Sequence, residues 1–169
     1  MRIALVRHPK PAIAPGICYG RLDLAVADDD VAALAGQIAA LGLAEIWTSP
    51  AQRCRRVAEA AGLPWRADAR LLELDFGAWE GVAWNAVPRA GLDRWAADPL
   101  GFAAPDGESG AALLARVQHL HADLRALGRD CAVVSHGGPL RLLAAMLRGE
   151  PADLLAVPPA IGSITLVMV

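Results

Sequence analysis

The stretch Ile3-Ala4-Leu5-Val6-Arg7-His8-Pro9 decides how this chain is read. Four apolar residues in a row are short enough for a buried strand and too short for a helix. Pro9 cannot continue a central ladder, so the strand stops there and delivers Arg7 and His8 to its carboxyl edge. The pattern recurs further out. Glu45-Ile46-Trp47-Thr48 reads as a second short strand and runs into Ser49-Pro50. Cys131-Ala132-Val133-Val134-Ser135 reads as a third and closes on His136-Gly137-Gly138. A last strand is expected over Ile164 to Val169.

Amphipathic helices lie between these strands. Asp28, Asp29 and Asp30 supply a cap and first-turn negative charge, and Val31, Leu34, Ile38 and Leu41 then share one face up to Gly42. Ser49 as a cap, with Pro50 at the first helical position, predicts a helix to about Ala61 that turns Cys54, Val57 and Ala58 inward. Leu113, Val117, Leu120 and Leu124 make the stripe of a longer helix that begins near Glu108 or Ser109 and ends at Gly128. Pro139 is expected to start one more, with Leu140, Leu143, Ala144 and Leu147 inside. Residues 10–27 form a Pro- and Gly-rich loop long enough to suggest a role. The region from Trp65 to Asp106, cut by Pro88, Pro99 and Pro105, reads as an excursion over the site, too short and broken to hold its own core. The alternation of strand and helix predicts an α/β fold: a three-layer α/β/α sandwich around a mostly parallel sheet, in one domain over residues 1–169.

Composition narrows the function classes. A chain of 169 residues, 55% apolar and with mean hydropathy +0.35, can bury a sizeable core and is not disordered. A net charge of −2 gives no electrostatic footprint for nucleic acid. The apolar tail from Ile161 falls short of the ~20 residues that span a membrane. Arg2, Arg7, His8 and Lys10 interrupt the window that a signal peptide would need apolar. Cys18, Cys54 and Cys131, odd in number and without a CxxC, read as reduced thiols of a cytoplasmic protein rather than disulfides or a zinc site. Oligomeric state is not legible.

In open α/β sheets ligands bind at the carboxyl ends of strands. Three strands here end in cationic or polar groups: Arg7-His8, Thr48-Ser49 with Arg53 just inside the next helix, and Ser135-His136-Gly137-Gly138. That set suits phosphate. Arginine grips a phosphoryl group bidentately and stays charged, and glycines opening a helix let backbone N–H groups approach an anion. An imidazole can attack phosphorus while the other cations hold the equatorial oxygens. No Asp/His set stands at ligand spacing for a metal, and a histidine nucleophile between arginine clamps needs none. His119 and His121, two apart on a helix, do not share a face and read as surface residues. Arg55 and Arg56 read as a solvated helix face, and Trp79, Trp84 and Trp95 as core or cover residues, with a lid that packs on a substrate ring as the alternative.

Taken together, these motifs resemble the histidine phosphatase superfamily, with its phosphoglycerate mutase-like fold. Arg7-His8 is similar to the family's Arg-His signature, which implies His8 as the phosphorylated nucleophile. Thr48-Ser49-Pro50-Ala51-Gln52-Arg53 resembles the second motif and implies that Arg53 binds phosphate. The run from Leu72 to Gly81 resembles the stretch carrying the acid, and Glu73 is the matching position; Glu80, seven residues on, is the alternative. Ser135-His136-Gly137 matches the late histidine motif and implies that His136 contacts the phosphoryl oxygens. Tyr19-Gly20 sits where a further phosphate contact is expected. Pro9 stands where the family usually has glycine, and residues 13–15 offer no counterpart to a polar residue common in that loop.

Within the superfamily, Cys18-Tyr19-Gly20-Arg21-Leu22-Asp23, Trp79-Glu80-Gly81, Asp98-Pro99-Leu100 and Pro105-Asp106-Gly107-Glu108-Ser109 resemble α-ribazole phosphatases. The resemblance implies a cofactor-free phosphomonoesterase acting on a small phosphate ester: α-ribazole 5′-phosphate, or the cobalamin 5′-phosphate in cobalamin biosynthesis. The alternatives are a broad-specificity histidine phosphatase, a phosphoglycerate mutase that returns the phosphoryl group to its product, and a non-catalytic phospho-ligand binding module.

Overall fold

Five strands form one sheet in the order β3-β2-β4-β1-β5, described by a computed structural model over residues 1–169. Strand β1 spans Arg2–Arg7, β2 Glu45–Thr48, β3 Trp65–Ala67, β4 Cys131–Ser135 and β5 Ile164–Met168. All neighbours pair parallel except β5, which runs antiparallel to β1. The helices are α1 (Asp28–Ala39), α2 (Gln52–Ala60), α3 (Arg89–Ala97), α4 (Gly110–Leu127) and α5 (Gly137–Arg148). This is the α/β fold that the sequence predicts. No helix is long and apolar enough to cross a membrane.

Period-two alternation divides the core into two. Ile3, Leu5, Cys131 and Val133 face α4 and α5, packing on Leu113, Val117, Leu120, Leu140 and Leu143. Ala4, Val6, Ile46, Ala132 and Val134 face the other way, onto Val31, Leu34, Ile38 and Val57 of α1 and α2. The three central strands therefore carry apolar side chains on both faces, which explains their unbroken apolar runs.

Register places the site. Arg7 pairs with Ser135 and Thr48 with Val134, so β1, β4 and β2 end almost abreast. His8 N–H donates to the Ser135 carbonyl at 3.1 Å, and Ser49 N–H to the Val134 carbonyl at 2.9 Å. His8, Ser49 and His136 thus leave the same edge of the sheet side by side.

Four local expectations need correction. None of Asp28, Asp29 and Asp30 caps α1, because the helix already begins at Asp28 after Ala27 and all three lie in its first turn. Trp65–Ala67 is an edge strand paired with β2, where the sequence reading places the start of the excursion. All three of its residues are exposed, so it has none of the alternation that marks a half-buried strand. The excursion also holds a small core of its own: Cys18, Trp79, Val87 and Ala104 are buried among Phe76, Trp84, Trp95 and Phe102. Its aromatic rings supply the area that its short elements lack. Finally, Ser49 does not cap α2. That helix starts at Gln52, whose N–H is capped across the loop by Asp23 Oδ1 at 2.7 Å, and the Ser49 hydroxyl is used elsewhere.

Candidate active site

His8 is buried at the end of β1, and its Nδ1 lies 2.7 Å from the Pro9 carbonyl. A carbonyl only accepts, so Nδ1 carries the proton and Nε2 holds the lone pair. Proline keeps its carbonyl, so this orienting bond survives the replacement of glycine at position 9. Burial pushes the His8 ring down to about 3, outweighing the Pro9 bond and reinforced by Arg53 and Arg7. The imidazole is therefore neutral, as a nucleophile must be.

Around it stand cations without counter-ions. Arg53 is fully buried on α2, yet its guanidinium donates only to the carbonyls of Leu22 (2.7 Å) and Gly20 (2.6 Å). Arg7 donates to the Pro159 carbonyl at 2.7 Å. Neither arginine forms an ion pair, although ten such pairs occur elsewhere in the molecule, and the Nε of each is buried without a partner. An uncompensated buried cation costs several kcal/mol, on the order found when one partner of a buried pair is removed. A fold that keeps one such cation fully buried, beside a second that is half-buried, suits an anion.

His136 caps α5 from the end of β4, with ring centroid 5.1 Å from that of His8. Its Nε2 lies 2.8 Å from Ser49 Oγ. The same oxygen accepts Ala51 N–H at 3.3 Å, and Nδ1 is buried without a partner. Burial, then Arg53, holds the ring well below its ordinary value. Cys54 Sγ is 3.7 Å from the same Nε2; burial pushes that thiol up to about 12, so it remains neutral.

Glu73 reaches the site from the excursion. Its Oε2 accepts from Gly138 N–H at 3.1 Å and its Oε1 from Leu74 N–H at 2.9 Å. A Cβ on Gly138 would meet Oε1, so a side chain there would push the carboxylate out of this position. Glu80 lies elsewhere: its two oxygens accept the N–H groups of Gly20, Arg21, Leu22 and Phe76. That carboxylate clasps the loop and has no oxygen turned to the cleft. The structure thus separates the two acids, and only Glu73 lines the cleft with His8.

The cleft, of about 190 Å³, is lined by Arg7, His8, Tyr19 and Glu73 and by the apolar side chains of Ile17, Phe76 and Trp84. Tyr19 also lies under Arg53, 5.6 Å from ring centre to guanidinium. Burial pushes its phenol up, so it stays protonated and able to donate. Gly20 does not open on the cleft; it gives its N–H to Glu80 and its carbonyl to Arg53, and so holds the arginine instead. Gly137 opens α5 beside the Arg7 guanidinium. A larger hollow of about 300 Å³, between α5 and Pro158–Pro159, contains arginines but no histidine, so the histidine pair and not cavity size marks the chemistry.

Arg116 escaped the sequence reading, and Arg21 and Glu108 entered it only as members of motifs, without this role. Arg116 Nη2 and Arg21 Nε donate to the same Glu73 carbonyl, at 3.1 and 2.9 Å, and Glu108 pairs with Arg116 at 2.7 Å and Arg21 at 3.5 Å. The signal was an arginine one position before Val117 on the buried stripe of α4, where a solvated residue would not be expected.

The sequence model of the histidine phosphatase superfamily (branch 1) matches residues 3–168. No curated protein matches the chain. Among solved structures, the α-ribazole phosphatase of Shigella flexneri is 23% identical, with a TM-score of 0.87 over 98% of this chain and 89% of that one. A mycobacterial glucosyl-3-phosphoglycerate phosphatase in complex with VO3 is 25% identical, with a TM-score of 0.82 over 98% and 90%. A protein of Thermus thermophilus is 28% identical, with a TM-score of 0.75 over 99% and 94%.

Proposed function

Because the chain belongs to the histidine phosphatase superfamily (branch 1), we propose that it is a metal-independent phosphomonoesterase working through a phosphohistidine on His8. The observation that carries this reading is a neutral, oriented imidazole set among cations that no carboxylate neutralises. A phosphoryl group supplies the missing counter-charge. Arg7, Arg53 and His136 Nδ1 donate to its equatorial oxygens, where transition-state charge accumulates, with Tyr19 and the Gly137 end of α5 at the margin. His8 Nε2 gives its lone pair to phosphorus. The bond from phosphorus to the ester oxygen breaks, and Glu73 passes a proton to that oxygen, so the product leaves as an alcohol. Water then attacks the phosphohistidine while Glu73 takes a proton from it. The nitrogen–phosphorus bond breaks back onto Nε2 and inorganic phosphate departs.

The substrate of this reading is α-ribazole 5′-phosphate or the cobalamin 5′-phosphate, hydrolysed in the cytoplasm by one domain spanning residues 1–169. Its support is the run of quoted residues that resemble α-ribazole phosphatases, together with the fold shared with the Shigella enzyme. Three free thiols suit a reducing compartment.

The test is phosphate release from α-ribazole 5′-phosphate, p-nitrophenyl phosphate and 3-phosphoglycerate, all with a chelator present. Selective turnover of the first, lost in His8→Ala, is expected. Turnover of only the generic ester would remove the cobalamin assignment and keep the chemistry. Isomerisation of 3-phosphoglycerate would make the protein a mutase. Loss of activity to the chelator would overturn metal independence, and ligand binding without any turnover would leave a binding module.

A further inference from the structure

Strand β5 closes the sheet on one side and leaves its own outer edge open. It pairs with β1 alone, at the end of the order β3-β2-β4-β1-β5. Arg7 N–H donates to the Ser163 carbonyl at 3.0 Å, and Val169 N–H to the Met1 carbonyl at 2.9 Å. Bonded positions alternate along an antiparallel strand, so residues 163, 165, 167 and 169 turn their backbone groups to β1. The N–H and C=O groups of Ile164, Leu166 and Met168 point the other way, out of the sheet.

The side chains at that edge are apolar and uncovered. Leu166 is 47% exposed and Met168 69%, on the face that carries Ala4 and Val6. Val157, which shares the wall of the hollow behind α5 with Thr165, is 92% exposed. Five of the molecule's seven exposed large apolar side chains fall between residues 155 and 168. No charged side chain occurs from Leu154 to Val169. Edge strands of soluble proteins are ordinarily blunted by charge, proline or shortness. The opposite edge has two of these devices, since β3 is three residues long and carries Arg66. Strand β5 has five residues and none of them.

We propose that a second copy of this chain covers the edge, β5 against β5, antiparallel about a two-fold axis at Leu166. The occupant follows from the strand itself. That register sets Leu166 opposite Leu166 and Ile164 opposite Met168, so every outward N–H meets an outward carbonyl and every cross-strand pair is apolar. No like charges meet: Arg2, the cation opposite Met168 on β1, is tied to Asp130. The assembly also closes. Each copy uses its one unprotected edge, and the Arg66 strands end the joined sheet on both sides, so the product is a dimer and not a filament. Strand β5 starts beside the site, where Gly162 N–H donates to the His8 carbonyl at 3.0 Å. The two-fold axis therefore sets the two clefts at opposite ends of the paired strands. The dimer is independent of what the cleft hydrolyses.

Sedimentation velocity of the full chain, from micromolar to submillimolar concentration, is expected to show a species of twice 17.7 kDa. A protein that stays at 17.7 kDa throughout overturns the proposal, whatever other proteins it binds. Leu166→Lys sets two cations opposite each other at the axis and leaves the backbone bonds to β1 intact. It is expected to sediment as a monomer with native circular dichroism, and a dimer that survives the change overturns the proposal. Should that variant fail to fold, cross-linking decides. The three native cysteines are buried, and residues directly opposite in such a bonded pair lie about 5.5 Å apart, within disulfide reach. Under a mild oxidant Leu166→Cys is expected to give a disulfide-linked dimer, and Trp65→Cys on β3 none. Cross-linking through Trp65→Cys and not through Leu166→Cys would move the contact to the other edge and sink this one.

Discussion

At the residue scale, the site is defined by what each polar atom lacks. Arg53 and Arg7 lack carboxylates, and His136 lacks a partner at Nδ1. His8 needs nothing further, because the Pro9 carbonyl fixes its tautomer. Glu73 is the one carboxylate that lines the cleft with it, and the proposed mechanism therefore assigns it proton delivery to the leaving oxygen. An alkyl ester needs that proton and p-nitrophenolate does not. Glu73→Gln should therefore lower kcat/KM, which reports the phosphorylation step alone, by roughly 10²–10⁴-fold for an alkyl phosphate and by much less for p-nitrophenyl phosphate. Equal losses of kcat/KM on both substrates would remove Glu73 from the role of acid. Most of these residues were legible as types at strand ends. Their roles were not always. Ser49 read as a helix cap because its neighbours are Thr48 and Pro50, and nothing in that pattern reveals a histidine 87 positions away that takes its hydroxyl. Glu73 and Glu80 looked alike in sequence, and only the four backbone donors folded around Glu80 tell them apart.

At the scale of elements, the acid is held from behind by α4. Arg116 on that helix and Arg21 on the loop of residues 10–27 both grip the Glu73 carbonyl, and Glu108 holds the two arginines. Glu108 and Arg116 are each about 85% shielded, and Arg116 with Arg21 holds the carboxyl of Glu108 below its usual range. Removing one partner leaves a poorly solvated charge, which costs about 3 kcal/mol. Arg116→Met should lower the melting temperature and reduce kcat more than it changes KM, whereas Arg116→Lys should restore part of the stability. A variant with native kcat and native melting temperature would show that the clamp is idle. The strands β1, β2 and β4 were legible because both their faces are buried and their apolar runs are unbroken. Strand β3 was not, since three exposed residues against one neighbour leave no pattern to find.

At the scale of the whole molecule, two neutral histidines are sealed into the junction of sheet and helices. Unfolded, each would take a proton near the ordinary 6.5; folded, His8 waits until about 3 and His136 also titrates well below 6.5. Their contribution to stability is thus complete above pH 6.5 and is lost as pH falls below it, at up to about 1.4 kcal/mol per pH unit for each ring. Denaturant midpoints should fall steadily from pH 6.5 to 5, and His8→Asn should flatten that slope; an unchanged slope would mean that His8 is not held neutral. The layered architecture followed from the alternation of strand and helix, but the aromatic core of the excursion did not, because rings scattered over Phe76, Trp79, Trp84, Trp95 and Phe102 show no period until the chain folds them together. The central claim is that the phosphoryl group passes through His8. It is tested most directly by quenching the enzyme within one turnover of p-nitrophenyl phosphate and mapping phosphorylated peptides by mass spectrometry under alkaline conditions. The expected result is an acid-labile phosphoryl group on the peptide containing His8, absent in His8→Asn; full turnover with no adduct, or with an adduct on another residue, would contradict it.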